Sequence, residues 1–315
     1  MAAASGSNQA GPVAYGSGLN QPSWSTAIAK KVPMKLAWLT DIHLNFCDEP
    51  TVERLACEVR AARSGESDSA EGAVDAVVIT GDIAEAPSVL DGLVNLRRRF
   101  ERPIYFVLGN HDYYRGSIYQ VRDRLAAACR QDEGLCFLTA SGPVSLSSDV
   151  ALIGHDGWGD ARAGDFENST VRLNDYYLID ELRMRTDDLL KEQLRSLGAE
   201  AAAHVRSQLT AALADHEEVV LATHVPPLAG ACWYEGRTTN DNWAPHFVCQ
   251  AVGETILAVM AEHPDRQLTA LCGHCHSPGV CQPADNVTIY TAGAVYAQPT
   301  VAGVIDTQRT PLVSV

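Results

Sequence analysis

Five short segments of the chain carry carboxylate, imidazole and amide groups in combinations that can bind metal ions and move protons. They are Asp41-Ile42-His43, Gly81-Asp82, Gly109-Asn110-His111-Asp112, Thr223-His224 and Gly273-His274-Cys275-His276. Carboxylate oxygen and neutral imidazole nitrogen together suit first-row transition ions such as Mn, Fe, Co, Ni or Zn, whereas calcium or magnesium would be held mainly by oxygen. The histidines at 43, 224, 274 and 276 therefore argue against calcium. Two such cations roughly 3.5–4 Å apart can clamp a phosphoryl group, lower the pKa of a bridging water and stabilise a departing oxygen. A carboxylate, with two oxygens, is the natural bridge between them.

Each segment follows a short, mostly apolar run that reads as a strand covered on both faces: Leu36–Thr40, Ala76–Thr80, Ile104–Leu108, Glu218–Ala222 and Gln267–Leu271. Donors at the ends of several strands on one sheet edge would share one crevice, the usual ligand position in an open α/β sheet. Helices are expected at about Thr51–Ser64, Ser88–Phe100 and Ser117–Gln131, so the chain through Phe137 reads as βαβ units. Short strands near Val144–Leu146 and Val150–Gly154 then precede the irregular stretch Asp156–Arg162 and an Ala- and Leu-rich helix from about Thr186 to Asp215. Val287–Tyr290, Ala294–Ala297 and Val301–Ile305 read as antiparallel strands of a second sheet, and no internal repeat is evident.

In chain order the five segments spell D-x-H, G-D, G-N-H-[DE], a lone His and G-H-x-H, and in this the sequence resembles the calcineurin-like metallophosphoesterases. Any one segment occurs by chance, a lone histidine such as His224 most of all. All five in order from Asp41 to His276, about three quarters of the chain, form a specific pattern. The resemblance implies an α/β fold of two mixed β-sheets packed as a sandwich and flanked by helices, four layers in all. It implies one metal held by Asp41, His43, Asp82 and His276 and a second by Asp82, Asn110, His224 and His274, with Asp82 bridging. The implied cofactors are two divalent or mixed-valence transition-metal ions, Mn, Fe or Zn foremost. A metal-bridging hydroxide would attack phosphorus in line, His111 would protonate the departing oxygen, and Asp112 would orient His111. The donor role also suits an imidazole on general grounds, since it titrates near neutrality and cannot easily ligate a metal while acting as an acid. Asp112 has a second reading, as a cap for the helix beginning near Ser117.

Monoesterases and diesterases of this kind share one ligand set. A phosphodiesterase is favoured because aromatic and Arg-bearing loops could hold a nucleoside or similar group; the expected partner is a small phosphoester, a nucleotide among the candidates. A phosphomonoesterase with the same site and a noncatalytic scaffold of the same fold are the alternatives, and the intact ligand set argues against the scaffold. A metallo-β-lactamase-like hydrolase would cluster its ligands as H-x-H-x-D-H, which the sequence lacks. The segment Gly154–Tyr177, a polar and aromatic mixture without core periodicity, is expected to border the site, with Arg162 or His155 touching the non-reacting part of the substrate. Its other reading is a surface loop held by Trp158 as an aromatic plug. Trp233, in Cys232–Arg237, could stack on a base or pack on the core. Tyr113, Tyr114 and Arg115 would lie near the mouth, making Arg162, His155, Tyr113 and Trp233 the candidate substrate contacts.

At 315 residues with 46% hydrophobic content, the chain can bury a large core as one catalytic domain, 32–315. A formal charge of −15 disfavours nonspecific binding to nucleic acid, which needs clustered Lys and Arg. Two divalent ions would offset four of those charges locally, so an anionic substrate could still be drawn to the site. Nine cysteines without a regular framework read as free thiols in a reducing compartment. The Cys272-x-x-Cys275 pair overlaps the G-H-x-H segment and has no second pair to complete a zinc site. The spacing of Cys57 and Arg63 matches C-x5-R, but it falls on an amphipathic helix, Val52–Arg63, with no glycine-rich phosphate loop. Residues 1–31, rich in Ala, Gly, Ser, Asn and Gln, read as a disordered or partner-binding tail, with Trp24 available to pack on the domain. They have neither the basic nor the apolar region of a secretory signal. No run approaches the roughly 18 apolar residues of a membrane span, so a cytoplasmic protein without membrane association is expected, and homo-oligomerisation stays open.

Overall fold

A computed structural model describes residues 33–63, 73–184, 186–309 and 312–314. The tail read over residues 1–31, Trp24 included, lies outside them. The chain begins as the expected alternation: β1 (Lys35–Leu39), α1 (Glu49–Ala61), β2 (Ala76–Thr80), α2 (Val89–Phe100), β3 (Ile104–Val107), α3 (Ile118–Cys129) and β4 (Leu135–Phe137). These four strands are parallel neighbours. Helix α1 starts two residues before the expected Thr51 because Asp48 accepts from the Thr51 amide at 3.0 Å and Pro50 occupies the first turn, where no N–H is needed. Ser117 caps α3 in the same way.

The second half supplies β5 (Val144–Ser145), β6 (Val150–His155), a single turn α4 (Asp175–Leu178), α5 (Asp187–Asp215), β7 (Glu218–Thr223), a small hairpin β8 (Trp233–Tyr234) and β9 (Arg237–Thr238), α6 (Ala244–Phe247), α7 (Gln250–Ala261), β10 (Gln267–Cys272), β11 (Gly279–Ala284), β12 (Val287–Thr291), β13 (Gly303–Asp306) and β14 (Val313–Ser314). Two mixed six-stranded sheets result, ordered β14-β13-β1-β2-β3-β4 and β11-β12-β10-β7-β6-β5.

Strand periodicity explains the layering. In β1, Leu36 and Trp38 face the other sheet while Ala37 and Leu39 face the helices; β2 repeats this with Ala76 and Val78 against Val77 and Ile79, and β7 with Val220 and Ala222 against Val219 and Leu221. Both faces of each sheet are therefore buried, as the continuous apolar runs require. Helices α1–α3 cover one sheet, α7 covers the other, and α5 contributes to both outer cores through Leu190–Leu197 and Ala201–Leu213.

The C-terminal expectation needs correction. Residues 303–306 pair antiparallel with β1, so this strand belongs to the first sheet, and β12 runs parallel to β10. The Ala294–Ala297 run is no strand: Ala297 adopts φ 61° and the chain turns there. The antiparallel partner of β12 is β11, an edge strand masked in the sequence by Pro283, whose register shifts between Cys281 and Ala284. Among the described residues no helix is long and apolar enough to cross a membrane.

Candidate metal centre and substrate cleft

Loops at the ends of β1, β2, β3, β7 and β10 carry the chemical residues, and backbone bonds continue past the strands to fix them. Asp41 N donates to Gly81 O at 3.0 Å, His43 N to Asp82 O at 2.9 Å, His224 N to Asp156 O at 3.0 Å and Gly273 N to His224 O at 3.0 Å. Five of the seven expected ligands have left-handed backbones: Asp41 (φ 48°), His43 (43°), Asp82 (52°), His274 (68°) and His276 (53°). Such conformations cost of order 1–3 kcal/mol each and cluster where function requires them. The approach of the loops is equally tight. A Cβ at Gly109 would lie 2.1 Å from Asp82 Oδ1, and one at Gly273 would lie 2.0 Å from Asp41 Oδ2. Gly109→Ala is accordingly expected to displace the Asp82 carboxylate and lower metal content and turnover together, measured by elemental analysis and hydrolysis of a chromogenic phosphoester.

The donors form two adjoining groups. In the first, ligand atoms of Asp41, His43, Asp82 and His276 all lie within 4.8 Å of one another, a set that could hold a metal ion. His43 Nε2 is 3.2 Å from His276 Nε2 and 3.6 Å from Asp82 Oδ2, and His276 Nε2 is 3.3 Å from Asp41 Oδ1. In the second, His224 Nδ1 is 2.9 Å from Thr80 O, a carbonyl that can only accept, so Nδ1 carries the proton. With Nδ1 as the donor, Nε2 is the ring nitrogen left to ligate, and it faces Asn110 Oδ1, 3.1 Å away, and Asp82 Oδ1, 3.4 Å away. His274 lies beside it, ring centroids 5.0 Å apart, with a buried Nε2 that has no hydrogen-bond partner. Several acceptors facing one another without a donor are unfavourable when buried. A cation resolves the conflict, and the donor types fit one.

Electrostatics point the same way. Burial lowers His43 to about 3 and His111 to about 4 and holds His274 well below the ordinary imidazole value, so all three rings are neutral at pH 7, the state in which imidazole ligates. For His276, burial opposes charge, but the Asp41 hydrogen bond and the nearby Asp41 and Asp82 charges outweigh it and raise the ring. Burial likewise opposes ionisation of Asp41, yet contacts from His276, His224 and Thr40 hold it below the usual carboxylate range. Asp82 moves the other way, raised by burial and by the negative charges of Asp41 and Asp112. At the bridge position burial and like charge outweigh what His276 and the His111 amide supply.

His111 stands at the edge of this cluster. Its amide donates to Asp82 Oδ1 at 2.9 Å, its Nε2 is 4.0 Å from Asp82 Oδ2, and its ring stacks on Tyr114 at 4.3 Å. Asp112 does not orient the imidazole, nor does it cap α3. Its oxygens accept from the amides of Ile83, Ala84 and Gly109 at 2.9, 2.7 and 2.8 Å, tying the β2 loop to the β3 turn. Its role is to hold the turn that carries His111.

Above the donors opens a cleft of about 460 Å³. Asp82, Asn110, His111, His274 and His276 contribute to its lining; residues 170–175 form one wall and Asn242, Trp243 and Phe247 another, with Tyr296 at the rim. Tyr296 lies 4.5 Å from the His43 ring and 4.9 Å from that of His276. The two walls are stitched together: Ser169 Oγ bonds Asn242 O and His246 Nε2 at 2.8 Å each, Thr170 N donates to Asn242 Oδ1 at 2.8 Å, and Tyr176 bonds His246 Nδ1.

None of the four expected substrate contacts lines this cleft. His155 is buried, accepts from Gly157 N at 3.1 Å through Nδ1 and packs on His204 of α5. Arg162 is exposed and rests against Asp160, Nε to Oδ2 3.8 Å, while Asp160 accepts from the Ala251 amide in the first turn of α7. Tyr113 is fully buried, its hydroxyl donating to Asp156 at 2.6 Å; its neighbour Tyr114 is the one that reaches the cleft. Trp233 covers Gly279, where a Cβ would sit 2.3 Å from its ring. Residues 154–161 are buried around Trp158, so the plug reading holds for the start of the loop and the site-bordering reading for its end. Arg122, which binds Asp156 through Nε at 2.9 Å, carries no signal in its sequence neighbourhood. Nor does the sequence single out Tyr296, Trp243 or Asp175 among many similar residues.

The family model for calcineurin-like phosphoesterases matches residues 34–278, and the chain belongs to that family. In fold it is similar to phosphopantetheinyl hydrolase from Mycobacterium tuberculosis, at 17% identity and a TM-score of 0.59 over 86% of this chain and 92% of that one. It is also similar to a dimetal phosphatase from Danio rerio, at 13% identity and a TM-score of 0.53 over 87% and 92%. No curated protein matches the sequence significantly.

Proposed function

We propose that the protein is a metal-dependent phosphodiesterase acting on a small phosphoester through two transition-metal ions of the Mn, Fe or Zn class. The observation that carries this reading is a pair of buried acceptors with no donor between them, His224 Nε2 and Asn110 Oδ1, and the unpartnered His274 Nε2, beside the Asp41, His43, Asp82 and His276 group. Asp82, with an oxygen towards each group, would bridge the two ions. Two bound cations would supply a water of lowered pKa and neutralise charge on the phosphoryl oxygens. The chain's own contribution is to hold the ester in line and deliver a proton. His111, 17% exposed beside Asp82, faces the cleft and protonates the departing oxygen as the P–O bond breaks. Because burial keeps the ring neutral in the free protein, the proton it delivers has to be taken up from solvent as substrate binds, when the phosphoryl charge favours the protonated ring.

A diester is favoured by what lies beyond the metal donors. The walls offer Trp243, 46% exposed, and Arg172, the one Arg or Lys lining the cleft among the described residues, its guanidinium paired with the exposed Asp187 at 2.8 Å. A flat or anionic second group fits there; a simple phosphate leaves that wall unused. Nine free thiols support residence in a reducing compartment such as the cytoplasm.

Elemental analysis combined with hydrolysis of bis-p-nitrophenyl phosphate and p-nitrophenyl phosphate under added Mn²⁺ tests the proposal. About two ions per chain and faster diester cleavage are expected. Monoester preference would keep the site and remove the diester assignment, and absence of both metal and activity would favour a scaffold. Trp243→Ala and Arg172→Ala should raise KM for a nucleotide-like diester several-fold while leaving p-nitrophenyl phosphate turnover nearly unchanged.

A further inference from the structure

Asp175 opens α4 at the end of the cleft wall and is buried. Its Oδ1 accepts from Asn110 Nδ2 at 2.9 Å and from the Tyr114 hydroxyl at 2.7 Å. The carboxylate is itself fixed from behind. Arg115 N donates to Leu178 O at 2.8 Å and Asp180 N to Gly116 O at 3.0 Å, docking α4 onto the turn that follows β3. On the other side, Tyr176 is tied to His246 of the opposite wall.

An amide side chain has a donating end and an accepting end, and a half-turn exchanges them. With Nδ2 committed to Asp175, Oδ1 of Asn110 must face His224 Nε2, where both atoms present lone pairs at 3.1 Å. The flipped amide would instead donate from Nδ2 into the His224 lone pair. That arrangement satisfies both side chains and closes the position to a cation. Left alone, the pair would favour the flipped form, so something outside it must select the observed one.

We propose that Asp175, supported by Tyr114, is a positioning residue that locks the Asn110 amide in its metal-accepting orientation. The proposal rests on the reading of Asn110 as a ligand of the second ion. It also makes the 170–175 segment serve two purposes, as a wall against the substrate and as the brace of a metal ligand. Tyr114 links the brace to the proton donor, since its ring stacks on His111 while its hydroxyl bonds Asp175. An Asp-bearing loop of no periodicity thereby sets both metal affinity and leaving-group geometry.

The test is Mn²⁺ binding by calorimetry and elemental analysis, with bis-p-nitrophenyl phosphate turnover recorded against Mn²⁺ concentration. Asn110→Ala, Asp175→Leu, Asp175→Asn, Tyr114→Phe and the Asn110→Ala/Asp175→Leu pair are compared with the parent, and melting in EDTA reports the fold separately. Asp175→Leu, which keeps the shape and removes the acceptor, should weaken one of two ions by about 10- to 100-fold. Its turnover should recover at high Mn²⁺. Asp175→Asn retains an acceptor oxygen and should recover most of the affinity even if the leucine variant folds poorly. The double variant should bind no worse than Asn110→Ala. Parent-like Mn²⁺ affinity in both Asp175 variants, with Asn110→Ala weakened, would overturn the positioning role. Unchanged affinity in Asn110→Ala would instead remove the ligand reading beneath it. Additive losses in the double variant would show that Asp175 acts elsewhere and also overturn the proposal.

Discussion

Asp82→Asn is expected to remove both metal ions and to lower phosphoester turnover by at least the roughly 10²–10³-fold that loss of one transition-state contact costs. The Asp82 carboxylate is the point where the two donor groups meet, with Oδ2 towards His43 and His111 and Oδ1 towards His224 and the His111 amide. An amide in its place offers one oxygen and turns an NH₂ towards one of the groups. The fold should survive this change. A buried carboxylate beside a second carboxylate is costly without cations, so the metal-free variant is expected to melt no lower than the metal-free parent. The parent should gain stability on adding Mn²⁺, about 2.7 kcal/mol at a hundredfold excess over Kd, and the variant should not. Calorimetric melting with and without Mn²⁺, beside elemental analysis, separates these effects. Two ions per chain and turnover within tenfold of the parent in Asp82→Asn would sink the bridging assignment.

The clustering of the expected ligands was legible because its signals are local. Each donor lies within a few residues of a buried β-strand's end, and a strand's direction and length can be read from apolar runs such as Ala76–Ile79. Parallel strands with helical crossovers leave their C-terminal loops on one edge, so chain order groups Asp41, Asp82 and Asn110 on the first sheet and His224 and His274 on the second, whereas the single sheet edge expected for all five is replaced by two sheet edges that the sandwich packs together. The cleft walls were not legible, for an equally physical reason. Tyr113 and Tyr114 are adjacent on a tight turn, and one points to the Asp156 network while the other points to the cleft. Residue type cannot divide them. Arg162 and Arg172 sit ten positions apart in one aperiodic loop, and only the capping of α7 by Asp160 shows why the first is drawn away from the site. Trp243 was overlooked for Trp233 because nothing in either neighbourhood encodes which loop crosses the sheet edge. The β-branched and aromatic run around Val295 and Tyr296 has strand composition, yet its backbone turns to set Tyr296 over the histidines.

Asp156→Ala is expected to cost about 3–5 kcal/mol, a large share of the 5–15 kcal/mol that hold a typical domain together. The carboxylate is 1% exposed and gathers four groups: Leu108 N at 2.9 Å, Thr139 Oγ1 at 2.7 Å, Tyr113 Oη at 2.6 Å and Arg122 Nε at 2.9 Å. Removing it strands the buried Leu108 amide and Tyr113 hydroxyl, the half-buried Thr139 hydroxyl and a buried guanidinium whose other acidic partner is Glu200, 42% exposed. Arg122→Met added to Asp156→Ala should restore part of the loss by deleting the unpaired charge, but not all, because the amide and two hydroxyls stay unpaired. Burial alone would raise the Asp156 carboxyl, but Arg122, His155 and the bonds from Tyr113 and Leu108 outweigh it and hold it below the ordinary value. A folded-state pKa below the unfolded one means that the charge stabilises fully above the usual carboxylate range, about 3.9, and loses its effect as pH falls through the lower folded value. The gap in melting temperature between parent and the milder Asp156→Asn should therefore be wide at pH 7 and narrow below about pH 4; a gap that widens in acid would contradict the ion pair. Because Leu108 immediately precedes Gly109-Asn110-His111, the folded fraction of Asp156→Asn should also bind Mn²⁺ less tightly than the parent. Through the Leu108 amide, and through the Asp156 carbonyl that accepts from His224 N, the buried network reaches the expected ligands without lining the cleft itself.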